Sequence, residues 1–566
     1  MARASRAEPA AGHPWLRQLR ADHLLLTRRA STRRLDGPLA RAAPRLADSR
    51  YAEELDRILE FASSAQDPHV ALALGRRALM RDRPDDALRW LVQAQSLVGR
   101  RDEPAVLARI AFLLGGIYIS RNESAAADAV LAWAEGVLGR QATTSADVVH
   151  LRALIADSRG ERGAALALYR EVLQRADGAL TPMTRVLALR NLAETTAHSA
   201  PHESASLYGL ALAVLDANEL DGATRCTIDN GMGYALLCTG DLAGARLKLT
   251  QALSDARRVR TQRVQLHSRF NLTIADELGG ALDAAQAGLR ELESDARRHG
   301  DASLARWCLI RSAWLRYRAD AGAEAEAILR EAFPATPPDA YRDAITTLRS
   351  ILRLDTRRAS ARADLVKLAS LYRERGDSLT DFTLTLWIAY ADAAAGRVSA
   401  ARTHVARACA LGAEGGFRTG TSWWSPDLVR VAKMHASARY ADYVDRLVSP
   451  PGPSREPRER RVDITREGAV SIAGAPLAEN IWRARRSGSG VLRRFFRALL
   501  SAHPVPLSRD ELADLLWPDS EGDKAVRNLY TATKDLRTAL VAVPGVRLEA
   551  DEAGYRLVFA ENVRIQ

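Results

Sequence analysis

The sequence predicts a mainly α protein, an α-solenoid of stacked helical repeats followed by a small α+β domain. Three observations predict it. First, alanines recur at Ala87, Ala127, Ala165, Ala205, Ala245 and Ala285, at spacings of 40, 38, 40, 40 and 40 residues, and less regularly at Ala327, Ala363 and Ala401. Second, Ser449 to Pro457 holds four prolines in nine residues, which ends any helix and makes an extended spacer. Third, beyond that spacer an alternation of period two (Val462, Ile464, Val470, Ile472) replaces the apolar spacing of three and four that precedes it. The chain therefore divides into a basic arm with a capping helix (1–65), a repeat array (66–448), a linker (449–461) and a last domain (462–560).

The arm carries most of the charge surplus. The whole chain has 81 Lys and Arg against 69 Asp and Glu, a net of +12, and residues 1–50 alone contribute +7. Residues 51–450 are close to balance at +2, and residues 451–566 add +3. Trp15, Leu16, Leu19 and Leu24 to Leu26 make a short apolar helix between Arg pairs, expected as a poorly packed cap with a solvated tail. A phosphate-binding arm is the alternative reading. Only 5 of the 81 cations are Lys, a bias that follows coding composition more than guanidinium chemistry, so the sign of the charge is informative and the choice of Arg is not.

The array repeats one frame. From Gly233-Tyr234-Ala235-Leu236 through Gly240-Asp241 to Ala245, Leu249 and Ala252, a small residue, a turn and then apolar positions four and seven beyond an alanine follow in order. The same frame fits Gly115 to Ala134, Gly160 to Val172, Gly280 to Leu292 and Gly396 to Ala408. This pattern resembles the tetratricopeptide repeat, in long and degenerate units. Small residues let paired helices cross closely, and Gly or Asn suits the left-handed turn between them. No pair buries its apolar face alone, so neighbours stack into a superhelix with a concave wall. By that resemblance Asn230, Tyr234 and Leu237 face the groove, where an effector (a peptide, a protein or a small molecule) is expected to bind.

After the linker, Val462, Ile464, Val470 and Ile472 alternate across Glu467-Gly468 as a hairpin, and the stretch from Ile481 to Leu500 holds Arg483, Arg485, Arg486, Arg493, Arg494 and Arg497 with no acid. Leu492, Phe495, Phe496, Leu499 and Leu500 give the next helix its apolar face. Ser508 with Glu511 three residues on is a capping box that opens a short helix. Trp517-Pro518-Asp519 breaks it, Asp523 to Leu540 forms a longer helix, and Arg547–Glu549 with Tyr555–Leu557 flank a closing hairpin turn.

These residues, namely Leu507 to Leu512, Leu515 to Asp519, Arg527 to Tyr530, Leu536 to Leu540 and Gly554 to Leu557, resemble the DNA-binding domain of the antibiotic-regulatory (SARP-type) transcriptional activators, a branch of the OmpR/PhoB-like winged helix-turn-helix fold. The resemblance covers about residues 460–560, one fifth of the chain. Two departures stand out. Thr533 occupies a position that is usually apolar, which predicts a loosely packed third helix, and the domain follows the helical array where such activators usually carry it in front.

The resemblance implies double-stranded DNA as partner and the Asp523–Leu540 helix as the reader. On a helical wheel Val526, Leu529, Thr533, Leu536 and Leu540 form its back. Its front holds Arg527, Thr531, Lys534 and Thr538, with Asn528, Tyr530 and Arg537 beside them, the side-chain types that read base edges and phosphates. Arg547 and Arg556 would act from the hairpin as a wing, and the loop with Asp519, Ser520 and Glu521 would face RNA polymerase. A homodimer or tandem binding on direct repeats fits the small size of one module. An intradomain ion pair of Arg537 with Asp535 or Glu511 is the competing use of that side chain.

Other classes find no support in the residues. The composition is that of a globular protein, and no apolar run approaches the roughly 18 residues of a membrane helix, nor does the Arg-rich start resemble a secretory signal. The expected location is cytoplasmic. Cys226, Cys238, Cys308 and Cys409 lack metal-ligand or disulfide spacing, and GxxxxGK[ST], HExxH and GxSxG do not occur. No enzyme, catalytic residue, metal site or cofactor is expected. The function that follows is a bacterial transcription regulator whose array senses an effector. The alternative is a repeat scaffold whose last domain docks protein only, and salt dependence separates the two.

Overall fold

The computed structural model describes residues 14–29, 37–59, 66–98, 103–175, 180–334, 338–450, 462–472, 475–476, 482, 488–518, 520, 522–540, 543, 545–551, 553–559 and 563–565. The chain forms two compact units, Met1–Pro453 and Ser454–Gln566, and their division falls inside the proline-rich segment.

Among the described residues, the regular elements of the first unit are helices. It opens with α1 (Pro14–Arg29), α2 (Gly37–Ala47) and α3 (Ala52–Leu59). Helix pairs follow: α4 and α5 (Pro68–Met80, Pro84–Leu97), then α6 and α7 (Pro104–Ser120, Ser124–Leu138). After a single turn, α8 (Gln141–Thr144), come α9 and α10 (Ala146–Ser158, Arg162–Gln174), then α11 and α12 (Pro182–Thr196, Pro201–Ala217). The series continues with α13 and α14 (Gly222–Thr239, Leu242–Arg258), α15 and α16 (Gln262–Leu278, Leu282–Arg298), and α17 and α18 (Ala302–Arg318, Gly322–Ala332). It ends with α19 and α20 (Asp339–Leu352, Arg358–Glu374), α21 and α22 (Ser378–Ala394, Val398–Gly415), and the short α23 (Pro426–His435) and α24 (Ala441–Asp445).

One position explains the period. The fourth residue of each second helix is Ala87, Ala127, Ala165, Ser204, Ala245, Ala285, Ala325, Ala361 or Ala401, and each is at most 1% exposed. There the second helix crosses the first, and a larger side chain would hold the two apart. This corrects the register at three positions: Ser204 takes the place given to Ala205, Ala325 that of Ala327, and Ala361 that of Ala363. Ser204 fits because its hydroxyl donates to the Ala193 carbonyl at 2.7 Å, so its oxygen is buried and satisfied. On the facing helix Gly75 and Gly233 leave room for Leu91 and Leu249: a Cβ at either glycine would lie 2.6 Å from the leucine Cγ.

The first helices are not a loosely packed arm. Leu19, Leu26, Leu39 and Leu46 are buried in the same core as the leading repeats. The turn after α2 pairs with the turn before α13, with Asp221 N–H donating to Asp48 O at 3.0 Å and Arg50 N–H to Glu219 O at 2.9 Å. Trp15 Nε1 donates to Asn218 O at 3.1 Å. Buried ion pairs tie the same region together: Arg76 with Asp48 at 2.6 Å, and Arg77 with both Asp56 and Asp221. Arg28 lies in α1, whereas Arg33 and Arg34 lie outside the described residues.

The second unit begins with β1 (Val462–Ile464), β2 (Val470–Ile472) and β3 (Ala475–Pro476). Helices α25 (Ser489–Ala502), α26 (Arg509–Leu516) and α27 (Gly522–Leu540) follow, then β4 (Val546–Asp551), β5 (Gly554–Phe559) and β6 (Val563–Ile565). The sheet order is β3-β2-β1-β6, with β6 parallel to β1, while β4 and β5 form a separate antiparallel hairpin. The parallel β6 strand was not expected from the sequence. Leu507 pairs with Tyr555 through both backbone bonds, 3.0 and 2.8 Å, and so ties the hairpin to the start of α26. Leu492, Phe495, Phe496, Leu512, Leu529, Leu536, Leu548 and Leu557 share the core.

Candidate nucleic-acid interface and the inner wall of the array

The capping box at Ser508 is formed in both directions: Glu511 N–H donates to Ser508 Oγ at 3.3 Å, and Ser508 N–H donates to Glu511 Oε2 at 2.8 Å. The Ser508 hydrogen bonds hold the Glu511 carboxyl below its ordinary range. That carboxylate is thereby engaged in its own helix cap.

Helix α27 has the two faces its pattern requires. Ala525, Leu529, Ala532, Leu536 and Leu540 are buried, and Val526 is half-buried. Thr533 does not loosen the helix. It is buried, and its hydroxyl donates to the Leu529 carbonyl at 2.8 Å, so the polar atom is satisfied inside the apolar back. On the other side Lys524, Arg527, Tyr530, Lys534, Arg537 and Thr538 are exposed, with Asn528 and Thr531 half-buried beside them. Four of those six exposed residues are cations and none is an acid. The hydroxyls of Thr531 and Thr538 turn back onto the carbonyls of Arg527 and Lys534 at 3.3 and 3.0 Å.

The two hairpin arginines differ. Arg547 is exposed on β4, whereas Arg556 on β5 is paired with Glu549 at 3.2 Å and Asp551 at 3.5 Å. Its charge is therefore largely matched within the hairpin. Asp519 and Glu521 lie outside the described residues, and Ser520 between them is half-buried. Of the basic stretch, Arg494 and Arg497 are exposed on α25, while Arg483, Arg485 and Arg486 lie outside the described residues.

The three residues expected to line an open groove in the array differ: Asn230 and Tyr234 are half-buried and Leu237 is not at the surface. Leu237 is fully buried in the core. Asn230 accepts from Asn271 Nδ2 at 3.1 Å, which links neighbouring pairs. The Tyr234 hydroxyl lies 2.8 Å from His198 Nε2 and 3.0 Å from Thr421 Oγ1, and burial pushes its pKa far up. The wall is occupied by the chain itself. Between α22 and α23, the irregular segment Phe417–Ser425 crosses α13, α17 and α21, the first helices of the fifth, seventh and ninth pairs. No periodicity signals such a segment, and the sequence reading missed it.

A buried irregular segment leaves carbonyls without helix or sheet partners, which is costly unless side chains supply donors. They do here. Arg311 Nη1 donates to Thr421 O at 2.6 Å, Trp387 Nε1 to Trp423 O at 2.8 Å, and Arg318 Nη1 to Trp424 O at 2.9 Å. Glu277, 2% exposed, orients the donors, accepting from Arg311, from Trp314 Nε1 at 2.6 Å and from Arg318 at 3.4 Å. Ring contacts complete the seat, with Trp423 edge-on to Trp314 at 5.6 Å and Trp424 stacked on Phe382 at 5.6 Å.

Beside this seat the array closes on itself. His198, after α11, and Asp377, before α21, meet at 2.9 Å, and Leu379 N–H donates to His198 O at 2.9 Å. Among the described residues no His, Cys, Asp and Glu cluster could hold a metal ion, and no helix is long and apolar enough to cross a membrane. All four cysteines are free and buried.

No family model matches the chain, and no curated protein matches it. Solved structures do. A Rap protein complexed with competence and sporulation factor is 14% identical with a TM-score of 0.49, the match covering 62% of this chain and 99% of that one. Aspartyl phosphate phosphatase F from Bacillus subtilis is 9% identical with a TM-score of 0.39, covering 62% and 96%. A signal transduction ATPase (STAND) protein with a tetratricopeptide repeat sensor, from Pyrococcus horikoshii, is 14% identical with a TM-score of 0.33, covering 56% and 46%. The chain's own succession of helix pairs gives it a tetratricopeptide-like helical repeat fold.

Proposed function

We propose that the chain is a sequence-specific DNA-binding transcription regulator: the C-terminal unit is a winged helix-turn-helix that places α27 in the major groove, and the repeat array regulates it. One observation carries this reading. Helix α27 is seated by α25, α26 and the β4–β5 hairpin through a buried apolar back, and among the described residues its exposed side chains include four cations and no acid, with Asp535 half-buried beside Asn528 and Thr531. A helix of that kind satisfies both halves of duplex recognition, phosphate neutralisation and donors for base edges. Arg527, Asn528, Tyr530, Thr531, Lys534, Arg537 and Thr538 form the reading face, with Arg547 as an exposed cation on the wing and Arg556 held back by its carboxylates. The loop with Asp519, Ser520 and Glu521 is the proposed contact with RNA polymerase.

The test is selection of bound duplexes from a random library by the full chain and by residues 455–566, at about 150 mM salt. An enriched motif that Arg527→Ala abolishes is expected. No enrichment with either protein, with or without added cell extract, overturns the reading in favour of a scaffold whose last unit docks protein.

A further inference from the structure

The segment Phe417–Ser425 is held as a bound peptide is held. Its main-chain carbonyls are read by three side-chain donors on two helices, α17 and α21, a mode that tolerates many sequences, while aromatic sockets take Phe417, Trp423 and Trp424 and supply selectivity. Phe417, Thr419, Gly420, Thr421 and Trp423 to Ser425 are buried, and Arg418 and Ser422 are exposed. Two features mark the cost of holding it. Trp423 sits at φ 59°, a left-handed conformation that a bulky residue adopts only when its surroundings impose it. Arg311, 4% exposed, and Trp387, fully buried, give donors to Thr421 O and Trp423 O, so an empty wall would leave these buried donors unmatched.

We propose that this inner wall is an extended-peptide site closed in cis by Phe417–Ser425, and that a peptide of the same chemistry, short, rich in aromatic and hydroxyl side chains and read through its carbonyls, exchanges with that strap. The exchange reaches the end of the array. Trp424 Nε1 donates to Val448 O and Val448 N–H to Arg418 O, both at 2.8 Å, so the strap also holds the residue from which the chain enters the proline-rich linker. The proposal names the effector class for the regulator described above, but its test involves no DNA, so either reading can fail without the other.

Gly420 offers a variant that touches the strap alone. A Cβ there would lie 2.4 Å from Thr383 Oγ1 on α21, so Gly420→Ala lifts the strap and leaves the donors of the wall unchanged. The cis segment competes at an effective concentration on the order of millimolar. A labelled synthetic peptide of residues 416–426 is therefore expected to bind full-length Gly420→Ala at least tenfold more tightly than the unmodified chain, by fluorescence anisotropy, and to lose binding when Arg311→Gln is added. In the unmodified chain, hydrogen exchange should release the amides of 417–425 before those of α13, α17 and α21. Equal affinities in a folded Gly420→Ala chain overturn the proposal. If that variant does not fold, exchange decides alone: strap amides that exchange only together with the three helices overturn it.

Discussion

His198 Nδ1 lies 2.9 Å from Asp377 Oδ2, although 179 residues separate the two in the chain. The pair joins the end of the fourth helix pair's first helix to the start of the ninth pair, and the second ring nitrogen of His198 continues to Tyr234. Burial raises the Asp377 carboxyl, but the His198 imidazole and the Arg162 guanidinium outweigh it and hold the group at about 2. A carboxyl depressed by folding stabilises the fold above its unfolded pKa near 4, and that stability is lost as pH falls through 2.

Asp377→Asn isolates that charge, because an amide oxygen can still accept from Thr380 N–H and keep the helix cap. The variant should lose about 2 kcal/mol at pH 7, and its stability should be flatter than that of the unmodified chain between pH 4 and 2. Urea unfolding at a series of pH values measures both, and parallel pH profiles would count against a stabilising role for the His198–Asp377 pair.

The corrected repeat register makes a sharp contrast two residues wide. Ala361→Leu inserts three carbons where α20 crosses its partner and should cost roughly 1–3 kcal/mol. Ala363→Leu, on the exposed side of the same helix, should change stability by less than about 0.5 kcal/mol. Thermal melts of the two variants distinguish this register from the one in which Ala363 is central.

In the C-terminal unit, Gly554 sits at φ 128°, and a Cβ there would lie 2.2 Å from the Leu507 carbonyl oxygen. Gly554→Ala should break the Leu507–Tyr555 pairing and destabilise the unit by roughly 1–3 kcal/mol through the positive φ together with the clash against the Leu507 carbonyl. Exchange of the Leu507 and Tyr555 amides should rise selectively, with the array amides unchanged.

For DNA binding, Arg527→Ala should remove sequence preference and lower the slope of log affinity against log salt by about 1 if it touches a phosphate. Glu549→Gln should do the opposite. It frees Arg556 from a carboxylate 3.2 Å away, so non-sequence-specific affinity rises and the salt slope steepens. Titrations at three salt concentrations test both variants, and a Glu549→Gln chain indistinguishable from the unmodified one would remove the wing from the interface.

What the sequence disclosed follows from the range of the forces involved. The capping box at Ser508, the two faces of α27 and the helix pairs were legible because they rest on contacts between residues three to about twenty apart. The register slipped at Ala205, Ala327 and Ala363 because a second small residue stands one or two positions earlier each time (Ser204, Ala325, Ala361), and composition cannot rank two alanines. Tyr234 was singled out as a groove residue, yet its partners, His198 and Thr421, lie 36 and 187 residues away. Spacing along a chain holds no record of such meetings. The strap was invisible for the same reason, since its donors stand on helices more than thirty residues apart.

The docking of the α2–α3 turn against Glu219–Asp221 bears on how the array folds. Stacked repeats that touch only their neighbours can gain or lose units and can melt from the ends inward. Here the backbone at Asp48 depends on Asp221, residue 198 depends on residue 377, and the wall of α17 depends on Thr421. Each of these ties closes a loop of more than a hundred residues, which slows the search for the native state and makes its loss all-or-none. Deleting any one helix pair would therefore shift the far partner of a tie by a full repeat, so the number of pairs in this array is fixed by its closure and not by the stacking of neighbours.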